Sequence, residues 1–194
     1  MRFLVLSWND VMRMSLDLAT RIASDNWFPD AIVAILRGGY AIAKIVEDAL
    51  GSSLLGTIEV KFYRGIGERS ERPVITQSLQ IDVRDKRVLV VDDVADSGRT
   101  LQLVSEIVGL YGAREVKTAT LFFKRRSIVM PDYYVAETDA WVVFPWEICE
   151  TVEQLVSKGR SVDEVVRMLS LDRLLDPDAI AKLAALVKRR VNKI

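Results

Sequence analysis

The chain has 194 residues, half of them hydrophobic, and its 27 basic and 27 acidic side chains cancel to a formal charge of zero. That length suits one domain of ordinary size plus an appendage, and the neutral balance favours neither nucleic acid nor a membrane surface as a general partner. The absence of histidine and the single cysteine, Cys149, exclude histidine bases, Ser–His and Cys–His nucleophile pairs, His-ligated zinc, cysteine-rich metal centres and an intramolecular disulfide. Chemistry must therefore rest on carboxylates, Lys, Arg, hydroxyls and backbone amides, with an oxygen-ligated metal where one is needed. The opening MRFLVLSWND has no long apolar h-region, and no apolar run approaches membrane-spanning length. The expectation is a soluble, cytoplasmic protein.

In chain order, the first clear element is a helix from Ser7 to about Ser24. Ser7 or Asn9 can cap it, and Val11, Met14, Leu18 and Ile22 form its apolar stripe. Trp27 and Phe28 read as core anchors, and Pro29 marks a loop. AIVAIL, residues 31–36, is an all-apolar strand that runs into Arg37, Gly38, Gly39 and Tyr40. A helix with Ile42, Ile45, Val46 and Leu50 on one face follows. Paired glycines occur where backbone must approach another group closely, although an ordinary strand–helix turn also uses them. Leu54 to Tyr63 is a further strand. The stretch GIGERSERPVITQSLQ, residues 65–80, is polar and long for a hairpin turn, and reads as a mobile lid, an extended two-stranded hood or a solvated loop.

The most informative stretch is Val88 to Thr100, VLVVDDVADSGRT. Val88, Leu89, Val90 and Val91 predict a strand buried on both faces, with Asp92 and Asp93 where it ends. Ala95, Asp96, Ser97, Gly98, Arg99 and Thr100 form a short loop. Leu101, Val104, Ile107, Val108 and Tyr111 then recur at helical spacing up to Gly112, a plausible stop. A loop of this kind at a helix N-terminus is an anion seat, and phosphate suits it. Two adjacent carboxylates would repel a bare phosphate, so the ligand should also present hydroxyls or carry Mg²⁺; a sugar phosphate does both. No Gly-Lys-Ser/Thr follows, so this is not the nucleoside-triphosphate loop.

The pattern of apolar strand, Asp-Asp and Asp-Ser-Gly-x-Thr closely resembles the phosphoribosyl-pyrophosphate (PRPP) motif of the type I phosphoribosyltransferases; Ser97 and Arg99 depart from the commonest Thr and Gly. The resemblance implies an α/β fold with a central, mostly parallel sheet flanked by helices, covered by a flexible hood. It implies that Asp92 and Asp93 face the ribose 2′ and 3′ hydroxyls, with Mg²⁺ nearby and held indirectly. It implies that residues 95–100 hold the 5′-phosphate and that Arg37, Gly38 and Gly39 bind the diphosphate, in a loop that members of the family often hold strained or cis. It further places Asp96 near purine N7, as acceptor of the proton released when N9 attacks.

After the motif, VKTATLFF (Val116 to Phe123) predicts another buried strand, with Lys124, Arg125 and Arg126 at its end. Tyr133 to Ala136 and Trp141 to Trp146 complete the strand set. A lysine at a strand end often only snorkels to solvent. FFKRRS with the later WVVFPWE, however, resembles the bacterial xanthine–guanine phosphoribosyltransferases. Carried over, Lys124 donates to O6 of a 6-oxopurine, Trp141 stacks on the ring, and backbone near Val142 and Val143 reads the N1 and N2 edge; Trp146 and Glu147 are equally well structural. An ammonium suits a 6-oxo group and not the 6-amino group of adenine. The implied reaction is transfer of the phosphoribosyl group from PRPP to N9, giving nucleotide and pyrophosphate through an oxocarbenium-like transition state. The family is usually at least dimeric, so a homo-oligomer is expected.

The resemblance covers residues 1–150, taken as the phosphoribosyltransferase domain, and leaves 151–194 as a C-terminal helical extension of two or three helices. Ser161 with Glu164 forms a capping box, and Asp176 with Pro177 opens the last helix. From Thr151 onward the extension carries nine basic and six acidic residues, a net +3. One reading is a packing appendage. Another is a helix-turn-helix variant in a regulator that binds PRPP or purine nucleotide together with nucleic acid and does not catalyse transfer. Against the regulator, Arg37, Asp92, Asp93, Asp96 and Lys124 are all present. An enzyme for adenine or a pyrimidine is a third reading.

Overall fold

The structure is a computed structural model that describes residues 2–52, 54–63 and 72–191. Val88 to Val91 are completely buried, as expected for a strand covered on both faces. They form the middle of β5 (Arg87–Ala95), which lies inside a six-stranded sheet. Its companions are β2 (Ala31–Ile35), β3 (Leu55–Tyr63), β4 (Arg72–Gln77), β6 (Glu115–Phe123) and β7 (Tyr133–Glu137), in the order β4-β3-β2-β5-β6-β7. All neighbours run parallel except β3 and β4. β2 and residues 88–91 of β5, the central strands, read as unbroken apolar runs for a physical reason: both faces are covered, so neither face selects polar residues.

Helices α1 (Trp8–Ser24), α2 (Gly39–Leu50) and α3 (Arg99–Leu110) supply the coverings. Ser7 caps α1: its Oγ accepts from the Asp10 amide at 3.1 Å, and Asp10 Oδ2 accepts from the Ser7 amide at 3.0 Å. The expected stripe of Val11, Met14, Leu18 and Ile22 is buried. From α3, Leu101, Val104, Ile107 and Val108 pack with Val33, Ile35, Val88 and Val90 of the sheet. Tyr111 lies just beyond α3 and is exposed.

The chain divides into two compact units, residues 12–139 and residues 1–11 with 140–194. The second contains β1 (Phe3–Val5), β8 (Trp141–Val143), α4 (Ile148–Ser157), α5 (Val162–Met168) and α6 (Pro177–Val191). Strands β1 and β8 pair in parallel, Phe3 opposite Trp141 and Val5 opposite Val143. Val143, Ile148, Val152, Val162, Val165, Leu171, Leu183 and Val187 form one buried cluster, with Phe3 and Val5 packed against it. The extension therefore shares a core with the first strand of the chain, and the boundary expected near residue 150 falls inside α4.

Several expectations need correction. The strand holding the paired acids does not end at them but runs on to Ala95, because Val94 and Ala95 still pair with Phe122 and Phe123 of β6. Trp141 to Trp146 is not one strand: β8 stops at Val143, and Pro145 opens a 3₁₀ turn, Pro145–Glu147, as its fixed φ and missing N–H favour. Phe28 is exposed while Trp27 is buried. Of the lid candidate, residues 65–71 lie outside the described residues, whereas Arg72–Gln77 is a strand antiparallel to β3.

Candidate active site

The first component is the carboxyl edge of β2 and β5. Ala34 of β2 is level with Val91 of β5, so the loops that follow both strands emerge side by side, where open α/β sheets place their ligands. Gly38 and Gly39 explain how closely they meet. A Cβ on Gly38 would run into the Asp93 carboxylate, and one on Gly39 would strike the Val91 carbonyl and lie 2.9 Å from Asp92 Cα. Gly38 has ordinary helical φ and ψ, so it is space and not backbone freedom that requires glycine here. The Leu36–Arg37 peptide bond just before them is cis. Asp92 and Asp93 are half-buried, and Asp92 Oδ1 accepts from the Asp93 amide at 2.9 Å.

The second component is the start of α3. Gly98 is its N-cap residue, in the left-handed region at φ 76°, and a glycine cannot cap with a side chain. The first turn of the helix thus lacks the capping group that Ser7 provides for α1, an arrangement suited to an anionic ligand. Ser97 Oγ accepts a long bond from the Arg99 amide at 3.4 Å, and the Arg99 guanidinium lies 4.8 Å from the centre of the Phe62 ring.

The third component is the exit of β6. The Lys124 side chain is only 6% exposed, and its Nζ lies 3.2 Å from Asp96 Oδ2. A lysine that merely reached for water would not be buried to this degree. The segment that follows runs back along the loop of the central motif. The Lys124 amide donates to the Ala95 carbonyl at 3.1 Å and the Ile128 amide to the Ser97 carbonyl at 3.0 Å. Gly98 is tight against this segment too, since a Cβ there would collide with Ser127 Oγ and lie 2.9 Å from the Val129 amide nitrogen. Arg126 adds a second cation to Asp96, its Nε donating to Oδ1 at 2.6 Å.

Sequence reasoning brought Asp96 and Lys124 forward separately and did not join them; it missed Arg126 as a partner. The available signal was the run Lys124-Arg125-Arg126 at the end of a strand adjacent to the acidic one. Nothing in that run distinguishes Arg126 from Arg125, whose Nε pairs instead with Glu137 at 3.0 Å. Trp141, Val142 and Val143 belong to β8: Val142 and Val143 are buried, and Trp141 is 43% exposed.

Parallel strands, an acidic pair at a glycine-tight sheet edge and a helix start with a glycine N-cap are features that suit a phosphorylated, hydroxyl-bearing ligand. The phosphoribosyl transferase domain family matches residues 7–153, and the chain belongs to it. Among its relatives, the xanthine-guanine phosphoribosyltransferase of Cereibacter sphaeroides is 33% identical over 150 residues, spanning 74% of this chain and 86% of that protein. The crystal structure of a purine phosphoribosyltransferase from Pyrococcus horikoshii is 43% identical, with a TM-score of 0.68 over 75% of this chain and 94% of its own. A hypothetical protein from Neisseria gonorrhoeae with bound ppGpp shares the fold at 23% identity, with a TM-score of 0.67 over 82% of this chain and 99% of its own.

Proposed function

We propose that this chain is a purine salvage enzyme that transfers the 5-phosphoribosyl group of PRPP to N9 of a 6-oxopurine and releases pyrophosphate. The observation that carries this reading is the buried Lys124 ammonium held beside Asp96 at the exit of β6. O6 and N7 are neighbouring acceptors on one purine edge, and an adjacent ammonium and carboxylate suit that edge when N7 carries a proton. Lys124 donates to O6, and Asp96 takes the N7 proton as N9 attacks C1 of the ribose. Asp92 and Asp93 bind the ribose hydroxyls, residues 95–100 bind the 5′-phosphate, and Arg37 with the Gly38 and Gly39 amides binds the diphosphate. The similarity to named xanthine-guanine and purine phosphoribosyltransferases supports the same assignment.

No covalent nucleophile is required. The chain's contribution is to align N9 with C1, to oppose the charge developing on the sugar with carboxylates, and to hold the diphosphate as it departs. Among the described residues no cluster of three His, Cys, Asp or Glu is arranged to hold a metal. Asp92 and Asp93 instead fit an Mg²⁺ that arrives on the oxygens of PRPP and retains water, the usual coordination of this ion. When bound, it would draw charge from the departing diphosphate.

The regulator reading is not favoured, because the relatives this chain resembles in sequence carry the names of phosphoribosyltransferases. The test is turnover with PRPP and Mg²⁺, offering hypoxanthine, guanine, xanthine and adenine separately. Nucleotide should form from at least one 6-oxopurine and not from adenine. Turnover of adenine alone, or of no base, would overturn the assignment.

A further inference from the structure

Asp96 is held from both sides in a way that a simple proton acceptor does not require. Its Oδ2 faces the buried Lys124 ammonium at 3.2 Å, and its Oδ1 accepts from Arg126 Nε at 2.6 Å, with a second Arg126 nitrogen on the same oxygen. The two cations differ in kind. Lys124 is enclosed, whereas the Arg126 side chain is 66% exposed. Arg126 is also fixed by backbone. It sits in the turn after β6, between the Lys124 amide that bonds Ala95 and the Ile128 amide that bonds Ser97. Those two bonds flank Asp96, so the turn keeps the Arg126 backbone beside the carboxylate whatever the side chain of Lys124 does.

Resting on the 6-oxopurine reading above, we infer that Arg126 is a positioning residue that holds Asp96 while Lys124 transfers from Asp96 to the purine. A base that presents O6 must attract the Lys124 ammonium away from a carboxylate. The Asp96 side chain is 35% exposed, so the departure of Lys124 costs a part-buried carboxylate one of its compensating charges. Arg126 removes that cost. It retains Oδ1, keeps the carboxylate oriented, and leaves Oδ2 turned toward the base as Lys124 departs. A guanidinium suits this role because it remains charged and offers several N–H donors in a fixed plane. Without Arg126, Lys124 and Asp96 close on each other, and the base has to compete with that closed pair.

The consequence is a separation of substrates. Arg126→Ala should raise KM for the 6-oxopurine about tenfold and lower kcat, with KM for PRPP changed less than about twofold, a pattern that general loss of structure does not give. Arg126→Lys should recover most of the loss, since an ammonium can still hold one carboxylate oxygen. Arg125→Ala should behave as wild type, because that neighbour pairs with Glu137. Unchanged base KM in Arg126→Ala, or equal losses toward base and PRPP that Arg126→Lys does not rescue, would overturn this inference alone. If the wild-type enzyme turns over no 6-oxopurine, the underlying reading fails and the inference falls with it.

Discussion

Lys124 is the residue on which the proposed base selectivity turns. Its ammonium is buried and lies 3.2 Å from the Asp96 carboxylate, so truncation removes an enclosed charged donor. A charge-assisted bond of this kind contributes roughly 1.5–3 kcal/mol. Lys124→Ala should therefore lower kcat/KM for the preferred 6-oxopurine by roughly ten- to a hundredfold, and steady-state kinetics on the four-base panel measures it. Full turnover of hypoxanthine and guanine by that variant would remove Lys124 from the base site. Sequence alone made this residue visible only through resemblance, because a lysine at a strand end has the same local pattern whether it points into a site or into solvent. The glycines behaved differently. Gly38 and Gly39 were recognisable as a close-approach signal, but the groups they approach, the Asp93 carboxylate and the Val91 carbonyl, lie more than fifty residues further along the chain. Arg126 was not legible at all, since its partner depends on how the turn after β6 lies along the loop at Ala95 to Gly98.

At the level of elements, the strand–loop–helix units were the most legible, because burial on both faces leaves an unbroken apolar run and a helix leaves its own period. β1 and β8 were not anticipated as a pair: each is three residues long, too short for alternation to register. Caps were legible where a side chain does the capping. Ser161 Oγ accepts from the Glu164 amide at 3.2 Å, and Glu164 Oε2 accepts from the Ser161 amide at 2.8 Å. The Ser161 amide, helped by the Ser161 side chain, holds the Glu164 carboxyl below the usual glutamate range. A carboxyl depressed in the folded state contributes stability above its unfolded pKa and loses it as pH falls through its folded pKa. The midpoint gap in thermal unfolding between wild type and Glu164→Gln should accordingly be largest near neutral pH and narrow as the pH falls below the unfolded glutamate value, about 4.3. A gap that does not narrow would mean that the charged half of the capping box is not felt by the fold.

Across the whole molecule, the family match ends at residue 153, yet the physical unit does not. Residues 154–191 supply most of the cluster that buries Val143 and Ile148 and covers Phe3 and Val5. An appendage read from the sequence as a run of amphipathic helices is thus half of a small α/β core whose other half is the first strand of the chain and β8. The sequence could not disclose this, because amphipathic helices state that they have an apolar face without stating what covers it. Leu171 tests the point. It is completely buried, lies in the 3₁₀ turn between α5 and α6, and belongs to the shared cluster. Leu171→Ala should cost about 2–5 kcal/mol from lost burial and the cavity left behind. Three of the four tryptophans, Trp8, Trp141 and Trp146, belong to this unit and only Trp27 to the other. Trp146 stacks on Phe144 at 4.8 Å and meets Trp8 at 5.7 Å between ring centres, so intrinsic fluorescence reports chiefly on this unit. The Leu171→Ala variant should show a clearly lower fluorescence midpoint in thermal and urea unfolding. An unchanged midpoint would mean that the C-terminal helices are packed onto the N-terminal strand without stabilising it.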